Sequence, residues 1–175
     1  MLLRLYKAVL RGCAFLCLAA SAYGAGDVPL GEDLRRDGQQ AIERQLPMLL
    51  EFSAATCLYC RQLEREFLVP MLISGEYTDK IIIRRLLVDS GTQVTDFDGA
   101  RKPASDVASR YRAWITPTLV FIDGQGREIT ERMVGINTPE LFGGYLDACI
   151  DTALLQIRDP DSTTTFAGCS AASAQ

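Results

Sequence analysis

The sequence predicts an α/β domain: one mixed four-stranded sheet with helices on both faces. Three observations predict it. Apolar runs of strand length alternate with charged stretches of helix length. The last two apolar runs are joined by "DGQG" (123–126), an Asp-Gly turn that makes them a hairpin. The 175 residues are 48% hydrophobic and 23% charged, enough for one ordinary domain with a sizeable core.

Each element follows from its residues. Residues 25–30 read as a loose leader, and "GEDLRRDGQQAIERQ" (31–45) as a surface helix with Leu34, Ala41 and Ile42 among charges. "PMLLEFS" (47–53) is a buried strand. A helix runs from Cys57 to about Ile73 on the apolar members Leu58, Leu63, Phe67 and Leu68, with Arg61, Glu64, Arg65 and Glu66 between them; Pro70 should kink or break it. "KIIIRRLLVD" (80–89) is the second strand, and "SGTQVTDFDGARKP" (90–103) a loop or small insertion. "ASDVASRYRAW" (104–114) is a short helix. "PTLVFID" (117–123) and "REITERMVG" (127–135) are the third and fourth strands. Thr138-Pro139 opens a last helix that reaches about Ile157. Strands joined through helices are expected to be parallel, with right-handed crossovers. Residues 159–175 are small and polar and are expected to be a disordered tail.

The first 24 residues read as a cleaved signal peptide: Arg4, Lys7 and Arg11, then a short apolar core, then small residues before Ala25. That core is shorter than the ~20 residues of a spanning helix; an uncleaved anchor is the alternative. Cleavage removes three basic side chains and no acidic ones, so the net charge of −4 becomes −7. An acidic chain lacks the basic face that nucleic acid needs. It also contains no histidine, the usual general base and commonest metal ligand. Export, here to a periplasm, lets disulfides persist among the four cysteines left, Cys57, Cys60, Cys149 and Cys169.

Cys57 and Cys60 form a CxxC at a strand-to-helix junction. The unpaired amides and dipole of a helix start stabilise a thiolate at Cys57. Cys60, one turn on, is placed to close a small ring and to act second. Two other readings stay open. A structural link this short would stabilise little. A metal site would need more ligands than the chain supplies at suitable spacing, although a two-thiolate Cu(I) site remains an alternative.

"LLEFSAATCLYC", "ITPTLVFIDGQGRE" and "VGINTPELFGGYLDACI" together resemble thioredoxin-fold thiol–disulfide oxidoreductases over roughly 46–150. "VTDFDGARKP" is similar to one periplasmic branch, the thioredoxins associated with sulfur-oxidation systems. The resemblance implies a thioredoxin-like domain at 46–158 that works without metal or organic cofactor. Cys57 and Cys60 are its redox pair, and Glu51 is a buried acid beneath the second cysteine that exchanges a proton with it. Thr116 and a cis Pro117 would hold an extended substrate segment, and Gly135 would let it approach closely. Leu58 and Tyr59, between the cysteines, would border the same site. The implied partners are a disulfide-bearing protein substrate and a membrane thiol-reductant donor, with the chain acting as a monomer.

The chain departs from the family in its dipeptide. Leu58-Tyr59 stands where reductants often have Gly-Pro and strong oxidants Pro-His, and Thr56 stands where reductants often have tryptophan. The lack of a dipeptide histidine favours a potential toward the reducing end of about −270 to −180 mV. Trp114 does not replace the missing tryptophan and is expected to pack in the core or at its rim. Cys149 and Cys169 are either separate buried residues or a pair that pins the tail. The function expected is reduction of protein disulfides. The alternatives are a binding module for Cu(I) or a peptide, and the same chemistry run as oxidation or isomerisation.

Overall fold

The computed structural model describes residues 26–166 and residue 169. The signal peptide expected at 1–24 lies outside the described residues. In chain order the elements are α1 (Leu34–Arg44), β1 (Met48–Ser53), α2 (Leu58–Leu63), a π-helical turn (Glu64–Leu68), α3 (Val69–Ser74), β2 (Ile82–Leu87), β3 (Gln93–Thr95), β4 (Arg101–Pro103), α4 (Ala104–Arg110), β5 (Thr118–Ile122), β6 (Met133–Val134) and α5 (Pro139–Arg158). The main sheet is mixed and four-stranded, in the order β2-β1-β5-β6.

Every residue of β1 is buried, because it is a central strand with helices on both faces. Alternate side chains serve opposite cores. Leu49, Ile83, Leu119 and Phe121 pack with Leu63, Leu68, Phe142, Leu146 and Ile150, so one face lies under α2 to α3 and α5. Met48, Leu50, Phe52, Val120 and Ile122 pack with Leu34, Ala41, Val107 and Tyr111, under α1 and α4. By this alternation Glu51 and Ser53 share the face of Leu49, toward the helix that carries the CxxC.

Several details differ from the sequence reading. β1 and β2 are parallel, but β5 runs antiparallel to β1, with Phe52 opposite Thr118. The connection through the 90–103 insertion and α4 is long enough to return the chain in either sense. That insertion forms its own hairpin, β3–β4. The fourth strand is short: only Met133 and Val134 pair with β5, with one further bridge from Glu128 to Ile122. The leader is not loose. Gly31 N–H donates to the Arg85 carbonyl at 2.9 Å, and Arg85 N–H to the Pro29 carbonyl at 2.8 Å, so the leader lies along the outer edge of β2.

Pro70 does not break the helix. It sits in the first turn of α3, and the wide turn just before it absorbs the irregularity: Val69 N–H reaches back five residues to Glu64. The described part of the tail is tied down, because Cys169 is buried and disulfide-bonded to Cys149 in α5. Phe166 N–H also donates to Thr152 Oγ1 at 3.1 Å. Among the described residues no helix is long and apolar enough to cross a membrane.

Candidate functional site

Cys57 caps α2, and its sulfur accepts the Cys60 N–H at 3.1 Å. The two cysteines are joined as a disulfide, with Cα atoms 5.3 Å apart. Cys57 is half-buried and Cys60 is buried. Only the first sulfur is therefore open to attack or able to attack an outside partner. Leu58 and Tyr59 stand out from the surface, 72% and 64% exposed.

The cis-proline loop comes to the same end of the sheet. Phe52, next to last in β1, is opposite Thr118, first in β5. The chain leaving β1 toward Cys57 and the chain entering β5 from Trp114 are thus neighbours. The Thr116–Pro117 peptide is cis. Thr116 is half-buried and Pro117 buried. The Thr118 hydroxyl donates to the Ile115 carbonyl at 2.6 Å. Among the described residues the main chain of Thr116 makes no hydrogen bond. Gly135 N–H donates to the Pro117 carbonyl at 2.8 Å, and Gly135 has φ 71°, a conformation that favours glycine. The carboxyl end of β6 is thereby fixed beside the proline.

Trp114 is not core or rim packing. It is 71% exposed and Ile115 63%, because they precede a buried proline on a turn that faces outward. With Leu58 and Tyr59 they put four large apolar side chains in solvent around one end of the sheet.

On the face of β1 that packs under α2 and the wide turn lies a buried cluster of ionisable side chains. Glu51 is buried in β1, and neither carboxyl oxygen has a hydrogen-bond partner among the described residues. Burial pushes its pKa up to about 9. The neighbouring Glu64 adds to the rise, and Arg85 opposes it. Glu64 is also buried. It accepts from Arg85 Nη1 at 2.5 Å and from the Ser53 hydroxyl at 3.4 Å. Arg85 lies opposite Glu51 in the parallel ladder, and its Nε is buried without a partner.

Glu64 and Arg85 were missed in the sequence. Glu64 stands four residues after Cys60, on the same side of the helix, but a charged residue between charged neighbours reads as solvated. A weak signal was present: two arginines inside an apolar strand, of which at least one must find a buried carboxylate.

With this geometry in view, comparison with known proteins is decisive at the level of family. The thioredoxin-like domain family matches residues 34–150. The chain belongs to that family. As a thioredoxin-like protein with a CxxC pair at a helix start, it has the apparatus of thiol–disulfide chemistry. The thiol:disulfide interchange protein DsbD of Ralstonia nicotianae is 27% identical over 107 residues, 61% of this chain and 16% of that protein. The chain thus spans about a sixth of the length of that relative. Among solved structures, a mutant poplar thioredoxin h is 24% identical, with a TM-score of 0.48 over 70% of this chain and 85% of that one. Mitochondrial thioredoxin 3 of Saccharomyces cerevisiae is 18% identical, with a TM-score of 0.46 over 69% and 94% of the two chains. Among the described residues, no group of three or more His, Cys, Asp or Glu side chains is arranged to hold a metal ion.

Proposed function

We propose that this chain is an exported, monomeric reductant of protein disulfides. The observation that carries the proposal is the asymmetry of the redox pair, a half-open Cys57 at a helix start backed by a buried Cys60. In the reduced protein the Cys57 thiolate attacks one sulfur of a substrate disulfide. A mixed disulfide forms and the other substrate sulfur leaves as a thiolate. Cys60 then gives up its proton and attacks the Cys57 sulfur. The Cys57–Cys60 bond forms, and the second substrate thiolate departs. The substrate gains two electrons from the dithiol, its two thiolates take protons from solvent, and the Cys60 proton passes to Glu51.

Glu51 acts in the second step. With its pKa near 9 it is protonated at neutral pH in the oxidised protein. That value is close to a thiol's, so proton exchange with Cys60 is nearly balanced. In the reduced protein the ionised form of Glu51 takes the Cys60 proton during resolution, which leaves it protonated in the oxidised protein, and it returns that proton when the disulfide is reopened.

The substrate enters as an extended segment paired to the free main chain of Thr116, in the manner of strand addition, with Gly135 allowing close approach. Leu58, Tyr59, Trp114 and Ile115 suit a polypeptide with apolar side chains beside its cysteine. The likeness to a thiol:disulfide interchange protein supports a periplasmic setting and a membrane thiol-reductant donor. The insertion 90–103 supports the narrower reading of a sulfur-oxidation-associated thioredoxin.

Reduction of insulin by the dithiothreitol-charged protein tests the proposal. Turnover should vanish in Cys57→Ser. Cys60→Ser should accumulate a covalent adduct through Cys57, and substrates trapped this way in cells should be exported proteins. Oxidation of reduced substrates without any reduction of insulin would reverse the direction. Stoichiometric Cu(I) binding with no turnover would replace the enzyme by a binding module.

A further inference from the structure

The exchange chemistry above makes no use of Asp89, yet Asp89 holds the loop that delivers Cys57. It follows Val88, whose N–H donates to the Ser53 carbonyl at 2.9 Å and ties the end of β2 to the end of β1. Both Asp89 carboxylate oxygens accept the Ala55 N–H, at 3.0 and 3.1 Å. The carbonyl of the same residue accepts from Arg61 Nη1 at 3.3 Å. Ala55 is therefore gripped at its N–H from the end of β2 and at its C=O from α2, two residues before the attacking sulfur. Cys57 N–H closes the loop onto the Ala54 carbonyl at 3.1 Å. The base of Asp89 is itself braced, since the Ser90 hydroxyl donates to the Leu87 carbonyl at 3.0 Å.

We propose that Asp89 is a positioning residue for Cys57, one that fixes the Ala54–Cys57 loop through the Ala55 amide and whose negative charge restrains thiolate formation at that sulfur. The proposal rests on Cys57 being the attacking thiol. The elements around the Cys57 loop carry other charged residues: Arg61 in α2, which reaches the Ala55 carbonyl, Glu51 in β1 and Glu64 in the wide turn, both buried, Arg85 in β2, bonded to Glu64, and Arg112 in the segment before Trp114. Residues 134–137, at the end of β6, contribute none. Of these, Asp89 is the exposed carboxylate bonded directly to the Cys57 loop. A nearby negative charge raises a thiol's pKa, whereas the helix start lowers it. The two act against each other at this sulfur.

The two roles separate by substitution. Asp89→Asn keeps an oxygen for the Ala55 N–H and removes the charge. Asp89→Ala removes both. The reduced protein is alkylated with iodoacetamide across pH; Cys60 is buried, so the profile reads Cys57. Asp89→Asn should lower the midpoint by about half a unit, the scale of one exposed charge held two residues along the chain from the sulfur. Asp89→Ala should lower it similarly. Above the midpoint, Asp89→Ala should also slow exchange with a protein disulfide by about tenfold, and Asp89→Asn should restore the rate. An unchanged midpoint in Asp89→Asn overturns the charge role. A full exchange rate in Asp89→Ala overturns the positioning role. Should Asp89→Ala not fold, Arg61→Met releases the other side of Ala55 and is held to the same rate criterion. A wild-type Cys57 that resists alkylation at every pH would instead sink the exchange mechanism itself.

Discussion

The described residues contain two disulfides, and their settings differ in almost every respect. Cys57–Cys60 spans three positions at a helix start, with one sulfur half-open and apolar side chains standing around it. Cys149–Cys169 spans 20 positions, both cysteines are buried in the core under α5, and Thr130 Oγ1 lies 3.2 Å from the Cys169 sulfur. The first closes too small a loop to restrain the unfolded chain much; the second closes one long enough to do so. Exchange requires access of a third sulfur in line with the bond, and only the first pair offers it. Loop length and exposure together divide the four cysteines into a pair for chemistry and a pair for cohesion.

The sharpest way to break this division is kinetic. Cys57→Ser should bring insulin reduction down to background, while the Cys149→Ala/Cys169→Ala protein, assayed below its unfolding temperature, should keep nearly all of it. Comparable losses in both would mean the second pair also carries electrons. Next in size, Glu51→Gln should slow resolution of the mixed disulfide by about 100-fold, the scale of one lost general acid–base group. Stopped-flow quenching at neutral pH would read it, with the first attack by Cys57 unchanged.

The cohesion side is tested by stability. Removing Cys149–Cys169 should cost about 3 kcal/mol in urea unfolding, whereas reducing Cys57–Cys60 alone should cost much less. Burial of Glu51 should also tilt the pH dependence of that stability. Its folded pKa, about 9, lies above its unfolded value of 4.5. The folded oxidised protein therefore holds a proton that the unfolded chain releases. The contribution is fully present below about pH 4.5 and is lost progressively up to about pH 9. Glu51→Gln should flatten that slope, and an unaltered slope would place the titration elsewhere. The smallest effect belongs to the apolar surround. Trp114→Ala should raise KM for a protein substrate by roughly tenfold, as for a peripheral anchor, and leave reduction of a small aromatic disulfide unchanged.

Much of the site could be read from the chain before folding. The cysteine pair at a helix start and the main strands and helices follow from local patterns, whereas the buried acid and the cis peptide were expected from the family resemblance; Glu51 is buried and the Thr116–Pro117 peptide is cis. What could not be read depends on contacts across the chain. Glu64 is buried only because Arg85, 21 residues later, reaches it from β2. The direction of β5 depends on how the insertion and α4 return the chain. The leader is ordered because β2 offers it an edge. Trp114 followed the ordinary expectation that a large aromatic is inside, but it stands exposed on the turn that leads into the buried Pro117.

The five-residue rung at Glu64–Leu68 has a consequence for any attempt to trim this chain. It works as a phase adjuster between the segment bearing the sulfurs and the segment bearing Met71. Excising a single residue there would yield an ordinary helix, and because four α-helical residues turn the chain about as far as the five of the wide turn, Cys57 and Cys60 would keep their bearing relative to α3. The Cys57 sulfur would stay beside the proline loop, and the change would fall on the side chains of the rung itself, Glu64 among them. A shortened protein that folds yet loses exchange would therefore point to Glu64 and its bond with Arg85 rather than to a misdirected cysteine.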